Sequence, residues 1–132
     1  MNAHASPRVF DYSSMKKELR IRKPQEFSHV YTNGHSWVNN LLVLKALHVG
    51  ENHESRFGFT AAKRTGTKVA RNTIKRRLRE SIEHTAVKDG WDMVFVARQK
   101  AEMVSYQDLY HAVQSILGQA KLLNTSLYQE KT

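Results

Sequence analysis

The sequence predicts an α+β fold, a two-layer α/β sandwich with the element order α-β-β-α-β-α and one extra strand if its first apolar run splits. Three patterns predict it. Ile74, Leu78 and Ile82 recur at i, i+4 and i+8, one apolar stripe along a helix from Val69 to Ala86. Arg56 to Ala62 alternates instead, with Phe57, Phe59 and Ala61 on one face and Gly58, Thr60 and Ala62 on the other, the period of a strand. Tyr106, Leu109, Tyr110, Val113, Ile116, Leu117 and Ala120 then return to helical spacing.

The elements follow in order. Pro24 suits the first position of a helix, where its missing N–H costs nothing. Phe27, Val30 and Tyr31 sit at i, i+3 and i+4, and Gly34 offers a left-handed cap, so Pro24 to Thr32 reads as a short helix. Trp37 to Val49 is rich in β-formers, with Asn39 and Asn40 as a break near its start. Gly50 to Ser55 is a polar turn, which makes this run and the strand from Arg56 a candidate hairpin. Thr65-Gly66-Thr67 is a loop before the central helix, and Asp89-Gly90 turns the chain into a short buried strand from Met93 to Ala97. Ser105 is a good N-cap for the last helix, with Asp108 three residues on. Residues 1–21 read as a flexible lead-in, 22–123 as one domain and 124–132 as a frayed tail. No repeat or second domain is visible in the 132 residues.

Charge narrows the function. The chain carries a formal net charge of +9. Lys63 to Glu80 holds eight Lys or Arg and one acid, the terminal Glu80. Like charges at helical spacing repel, so such a density is costly unless a polyanion is the partner. Arg71, Lys75 and Arg79 flank the apolar stripe, and phosphate suits such a row. The chain has no cysteine, which excludes disulfides and thiolate metal sites and fits a reducing cytoplasm. No apolar run reaches the length of about 20 residues that spans a bilayer, and the N-terminus lacks the apolar core of a signal peptide. His48 and His53 lack metal-ligand spacing, and no paired carboxylates suggest a protein-based two-metal nuclease. Phosphate-loop glycines and a Ser-His-Asp set are absent too.

The patterns F27-S-H-V-Y31-T-N-G34, GFTAAKRTG and VARNTIKRRLRE together resemble the protein subunit of bacterial ribonuclease P, over roughly Arg22 to Leu117. The resemblance implies a left-handed β-α-β crossover around the basic helix, which periodicity does not reveal because right-handed crossovers dominate. It implies that Lys68, Arg71, Asn72, Lys75, Arg76 and Arg79 bind a catalytic RNA subunit. It also implies that Phe27, Tyr31, Lys45, Thr60, Lys63 and Arg64 line a cleft for the single-stranded 5′ leader of precursor tRNA. Catalysis and Mg²⁺ would belong to the RNA. The protein would then be an accessory subunit with no catalytic residue, bound metal, cofactor, small-molecule substrate or membrane partner of its own. Two positions depart from the family pattern: Thr73 stands where Arg is usual, and Lys68 where Ala is usual. The alternative function is a structural RNA-binding protein of ribosomal type. A helix-turn-helix DNA binder does not fit, because the basic helix is flanked by strands.

Overall fold

In a computed structural model that describes residues 16–124, Pro24 opens the first helix, α1 (Pro24–Asn33). The Glu26 carboxylate reaches back to the backbone N–H groups of Lys23 (3.2 Å) and Arg22 (3.3 Å), satisfying donors that the helix start leaves open. The helix ends at Gly34, whose extended backbone (φ −90°, ψ 177°) replaces the expected left-handed cap. Space rather than φ demands glycine there. A Cβ would stand 2.7 Å from the carbonyl oxygens of both Val30 and Ala46.

The first apolar run does split, into β1 (His35–Val38) and β2 (Leu42–His48). Asn39 makes the break. Its Oδ1 accepts the N–H groups of Leu41 (3.0 Å) and Leu42 (2.9 Å), and its Nδ2 donates to the Ala112 carbonyl (3.0 Å). Then come β3 (Arg56–Ala61), α2 (Lys68–Glu83), β4 (Trp91–Ala97) and α3 (Tyr106–Ala120). Thr67 caps α2 by accepting from the Ala70 N–H, and Ser105 caps α3 by accepting from the Asp108 N–H, each over 3.1 Å. Helix α2 stops short of the expected Ala86, where Thr85 turns its hydroxyl onto the Ser81 carbonyl at 2.6 Å.

The sheet order is β1-β2-β4-β3, so the expected hairpin of β2 with β3 does not form. Strand β4 lies between them, antiparallel to β2 (Leu42↔Ala97 to His48↔Trp91) and parallel to β3 (Arg56↔Asp92 to Ala61↔Ala97). Its Met93, Val94, Phe95 and Ala97 are all buried, on both faces of the sheet. A strand apolar on both sides belongs in the centre, and that burial outweighs the local turn at Gly50–Ser55.

The main core lies on one face. Leu42, Leu44, Ala46, Phe57, Met93 and Phe95 meet Ile74, Leu78 and Ile82 of α2 and Leu109, Val113, Ile116 and Leu117 of α3. A smaller cluster under α1, on the other face, joins Ile21, Val30 and Val94 with Phe27, Leu47 and Val96. The folded chain begins before Arg22, earlier than the expected boundary. Leu19 and Ile21 are buried, and the Ile21 N–H bonds the Phe57 carbonyl over 2.8 Å along the edge of β3. Residues 1–15 of the expected lead-in and 125–132 of the expected tail lie outside the described residues. Among the described residues, no helix is long and apolar enough to cross a membrane.

Candidate nucleic-acid interface

Helix α2 seats Ile74, Leu78 and Ile82 on the sheet and leaves its basic row at the flank. Lys68 and Asn72 are exposed one turn apart, Arg76 is exposed, and Lys75 and Arg79 are half-buried. Asn72, Lys75, Arg76 and Arg79 line a concavity of about 380 Å³ whose opposite wall is the segment Arg20-Ile21-Arg22 beside β3. Burial, then repulsion from Arg79 and Arg22, holds the Arg20 guanidinium below the ordinary arginine value, and Glu83 offsets part of this. Cations thus converge here with little acid among them, an arrangement suited to a polyanion.

Arg71 behaves differently from the rest of the row. Its Nη1 donates to the carbonyls of Lys63 (3.1 Å) and Gly66 (2.9 Å), which secures the loop between β3 and α2. Gly66 takes a positive φ of 71°, a conformation natural to glycine. Thr73, at the departure from the family pattern, donates its hydroxyl to the Val69 carbonyl over 3.0 Å and offers no cation. Arg77 lies on the other flank and reaches toward the Val104 carbonyl ahead of α3, at 3.5 Å.

The second group of residues is spread over α1, the opposite face of the sheet and the loop after β3. Strand register puts Lys45, Val94 and Gly58 in one row and Val38, Val43, Val96 and Thr60 in the next. The second row is open to solvent in part: Val38 is 53% exposed, and Val43, Val96 and Thr60 are half-buried. Phe27 lies over Gly58, where a Cβ would come within 2.8 Å of its ring. Tyr31 stands one turn along α1 with its ring centroid 6.3 Å from that of Phe27, and it remains 42% exposed. Phe27 therefore belongs partly to the small core, while Tyr31 is not part of that cluster and stays exposed. Burial pushes the Tyr31 phenol above its ordinary value. Lys63 and Arg64, both exposed, occupy the loop just past the end of β3.

An ion-pair relay fixes α1 against the sheet. Arg56 on β3 binds the buried Asp92 of β4 through Nε (3.1 Å) and Nη2 (2.8 Å), and its Nη1 binds Glu26 of α1 at 2.9 Å. The Arg56 hydrogen bond, with help from the Lys23 N–H, holds the Glu26 carboxyl below the usual carboxylate range.

The profile of the family described as Ribonuclease P matches residues 15–121 of this chain. The chain belongs to the ribonuclease P protein family. It is 39% identical to the ribonuclease P protein component of Dehalococcoides mccartyi over 118 residues, which covers 89% of this chain and 96% of that protein. Its identity to the Clostridium novyi component is 39% over 113 residues, covering 83% and 100%. The Staphylococcus aureus RNase P protein structure superposes with a TM-score of 0.73 at 30% identity, over 80% of this chain and 98% of that one. The Thermotoga maritima RNase P protein, at 24% identity and a TM-score of 0.68 over 74% and 94%, shares the fold.

Some residues of this ribonuclease P family member escaped sequence reasoning. Arg20 falls in the expected lead-in and Arg22 at the first position of the expected domain, neither with a site role, yet both wall the concavity on α2. Their signal was the alternation Leu19, Arg20, Ile21, Arg22, apolar and basic with the period of a strand. In the sequence, Gly58 is one position of a strand pattern. A glycine inside a strand marks a close approach, here of the Phe27 ring.

Proposed function

We propose that this protein is the protein component of ribonuclease P, supporting endonucleolytic maturation of tRNA 5′ ends in the cytoplasm. Helix α2 and the loop before it bind the catalytic RNA, with Lys68, Asn72, Lys75, Arg76 and Arg79 toward phosphates and Arg71 holding the loop in shape. The groove beside α1 takes the single-stranded 5′ leader of precursor tRNA. Tyr31 and Phe27 supply faces for unpaired bases there, and Lys45, Thr60, Lys63 and Arg64 supply charge and a hydroxyl. The bond-breaking groups and Mg²⁺ belong to the RNA, and the protein acts by binding and positioning.

The observation that carries this reading is the unneutralised basic flank of α2 facing Arg20 and Arg22 across one concavity, in a chain of the ribonuclease P protein family. A solvated helix face would mix signs. This one runs from Lys63 to Arg79 without an acid. The test is reconstitution. Purified protein added to a bacterial ribonuclease P RNA should allow precursor tRNA to be cut at Mg²⁺ concentrations where the RNA alone is slow. No stimulation at low Mg²⁺ would overturn the assignment, and so would cleavage by RNA-free protein that a point mutation in this chain abolishes.

A further inference from the structure

We propose that the concavity between Arg20–Arg22 and α2 receives one unpaired nucleotide turned out of its RNA strand, with its phosphate on Arg20 and Arg79 and its base against Phe59. The proposal deepens the reading of α2 as an RNA interface and rests on it. It begins with Arg20. The β-bridge to Phe57 and the Ile21-to-Phe57 hydrogen bond fix the Arg20 backbone along the edge of β3. Its Nε is buried and has no hydrogen-bond partner among the described residues. A half-buried guanidinium short of one hydrogen bond is under-solvated, and an anion in the concavity would offset that through its charge. Arg22, Lys75 and Arg79 border the same space.

The floor distinguishes a nucleotide from a bare anion. Phe59 is half-buried and stacks on Phe95 at 6.1 Å with the ring planes 14° apart, so it forms a rigid apolar surface at the base of the concavity. Ile21 lies beside it. A phosphate alone would leave that surface wet and would underfill about 380 Å³. Ligand sites of a few hundred Å³ combine an apolar lining with a few charged groups, as here. A nucleotide matches both halves, because base stacking on an aromatic ring tolerates any base and the phosphate answers the guanidiniums. A base inside a helical stack cannot reach a recess of this kind, so the nucleotide must be unpaired.

The experiment titrates the full-length protein at low salt with adenosine 5′-monophosphate, adenosine or inorganic phosphate, followed by NMR. Adenosine 5′-monophosphate should shift the resonances of Arg20, Phe59, Lys75 and Arg79 and bind about tenfold more tightly than inorganic phosphate. Phe59→Leu should close that gap, and Arg20→Gln should weaken both ligands. Equal affinity for the two, an anion site only, would overturn the proposal, as would shifts confined to other surfaces. Binding of the catalytic RNA by Lys75→Ala, Arg20→Gln and Phe59→Leu variants separates the two readings. If only Lys75→Ala weakens it, the nucleotide recess is wrong and the RNA interface on α2 stands. If none of the three weakens it, the interface itself is wrong.

Discussion

Arg71 Nη1 donates to the Lys63 carbonyl oxygen over 3.1 Å, so one guanidinium ties the basic helix to the loop that ends β3. The residue joins two elements: its own helix flanks the concavity, and Lys63 lies in the loop just past β3. This splits the basic row into two kinds of cation. Lys75→Ala removes a free charge and should lower the log–log salt slope of RNA binding by about one unit. Arg71→Lys keeps its charge, but the shorter side chain stops short of the Nη1 position that reaches both carbonyls. It should weaken RNA binding with little change in slope, and it should speed amide exchange in residues 63–67. Salt titrations of both variants, with hydrogen exchange on the second, check this. An Arg71→Lys variant with wild-type affinity and exchange would return Arg71 to the ordinary phosphate contacts.

Precursor and mature tRNA share the folded body, so only the leader distinguishes them. Tyr31 is 42% exposed, and Val30 beside it carries the packing with no exposure at all. Tyr31→Ala should therefore weaken holoenzyme binding of precursor tRNA by about 1–3 kcal/mol and leave mature tRNA nearly unaffected. Equal loss for both ligands in a folded variant would make Tyr31 a packing residue.

Gly58 sets how closely α1 approaches the sheet. A Cβ there would stand 2.8 Å from Phe27 Cε1 and 3.3 Å from Ile21 Cβ. Gly58→Ala should destabilise the fold by about 1–3 kcal/mol through this overpacking, measured by urea unfolding. Gly58→Ala combined with Phe27→Leu should recover part of the loss, because the smaller side chain vacates the ring position. If the double variant is no more stable than Gly58→Ala alone, the contact with Phe27 is not the cause.

These cases show what the sequence carried. Helices α2 and α3 were legible because their apolar residues repeat over several turns and both have a capping hydroxyl, Thr67 and Ser105. The division of β1 from β2 was legible from Asn39. Strand order was not, since pairing of β3 with β4 across α2 depends on which strand buries two faces, a property of the whole sheet. The candidate site was legible as residue types along α2. It was not legible as a recess, because its second wall, Arg20 to Arg22, lies about fifty residues away in sequence and is fixed only by hydrogen bonding to Phe57.

The Glu26–Arg56–Asp92 relay gives the acid limb of stability a specific origin. The Glu26 carboxyl titrates below its ordinary value because Arg56 hydrogen-bonds its charged form. A depressed carboxylate stabilises the fold at pH values above its unfolded pKa. That contribution fades as pH falls through the lower folded value. Glu26→Gln should therefore lower stability at neutral pH and flatten the loss on acidification below about pH 4.5. Thermal unfolding across pH 3 to 7 checks it. Parallel pH profiles for wild type and variant would show that Glu26 contributes nothing to the limb.

Lys121 closes α3 with φ 60° and ψ 38°, the left-handed conformation, and is the residue other than glycine with positive φ among the described residues. The cap is satisfied: the Leu122 N–H bonds the Leu117 carbonyl at 2.9 Å, and the Lys121 N–H bonds the Gly118 carbonyl at 3.1 Å. Leu122 is buried, and the Lys88 N–H bonds its carbonyl at 2.9 Å, so the chain must turn here whatever residue stands at the cap. The side chain of Lys121 is exposed and thus replaceable. Left-handed backbone costs a residue with a Cβ about 1–2 kcal/mol, and glycine loses part of that advantage through its greater unfolded-state entropy. Lys121→Gly should stabilise the protein by about 0.5–1 kcal/mol in urea unfolding with an unchanged m-value. Lys121→Ala, which removes the charge and keeps the Cβ, should not. If alanine stabilises as much as glycine, the cause is the charge at this end of α3 and not the backbone.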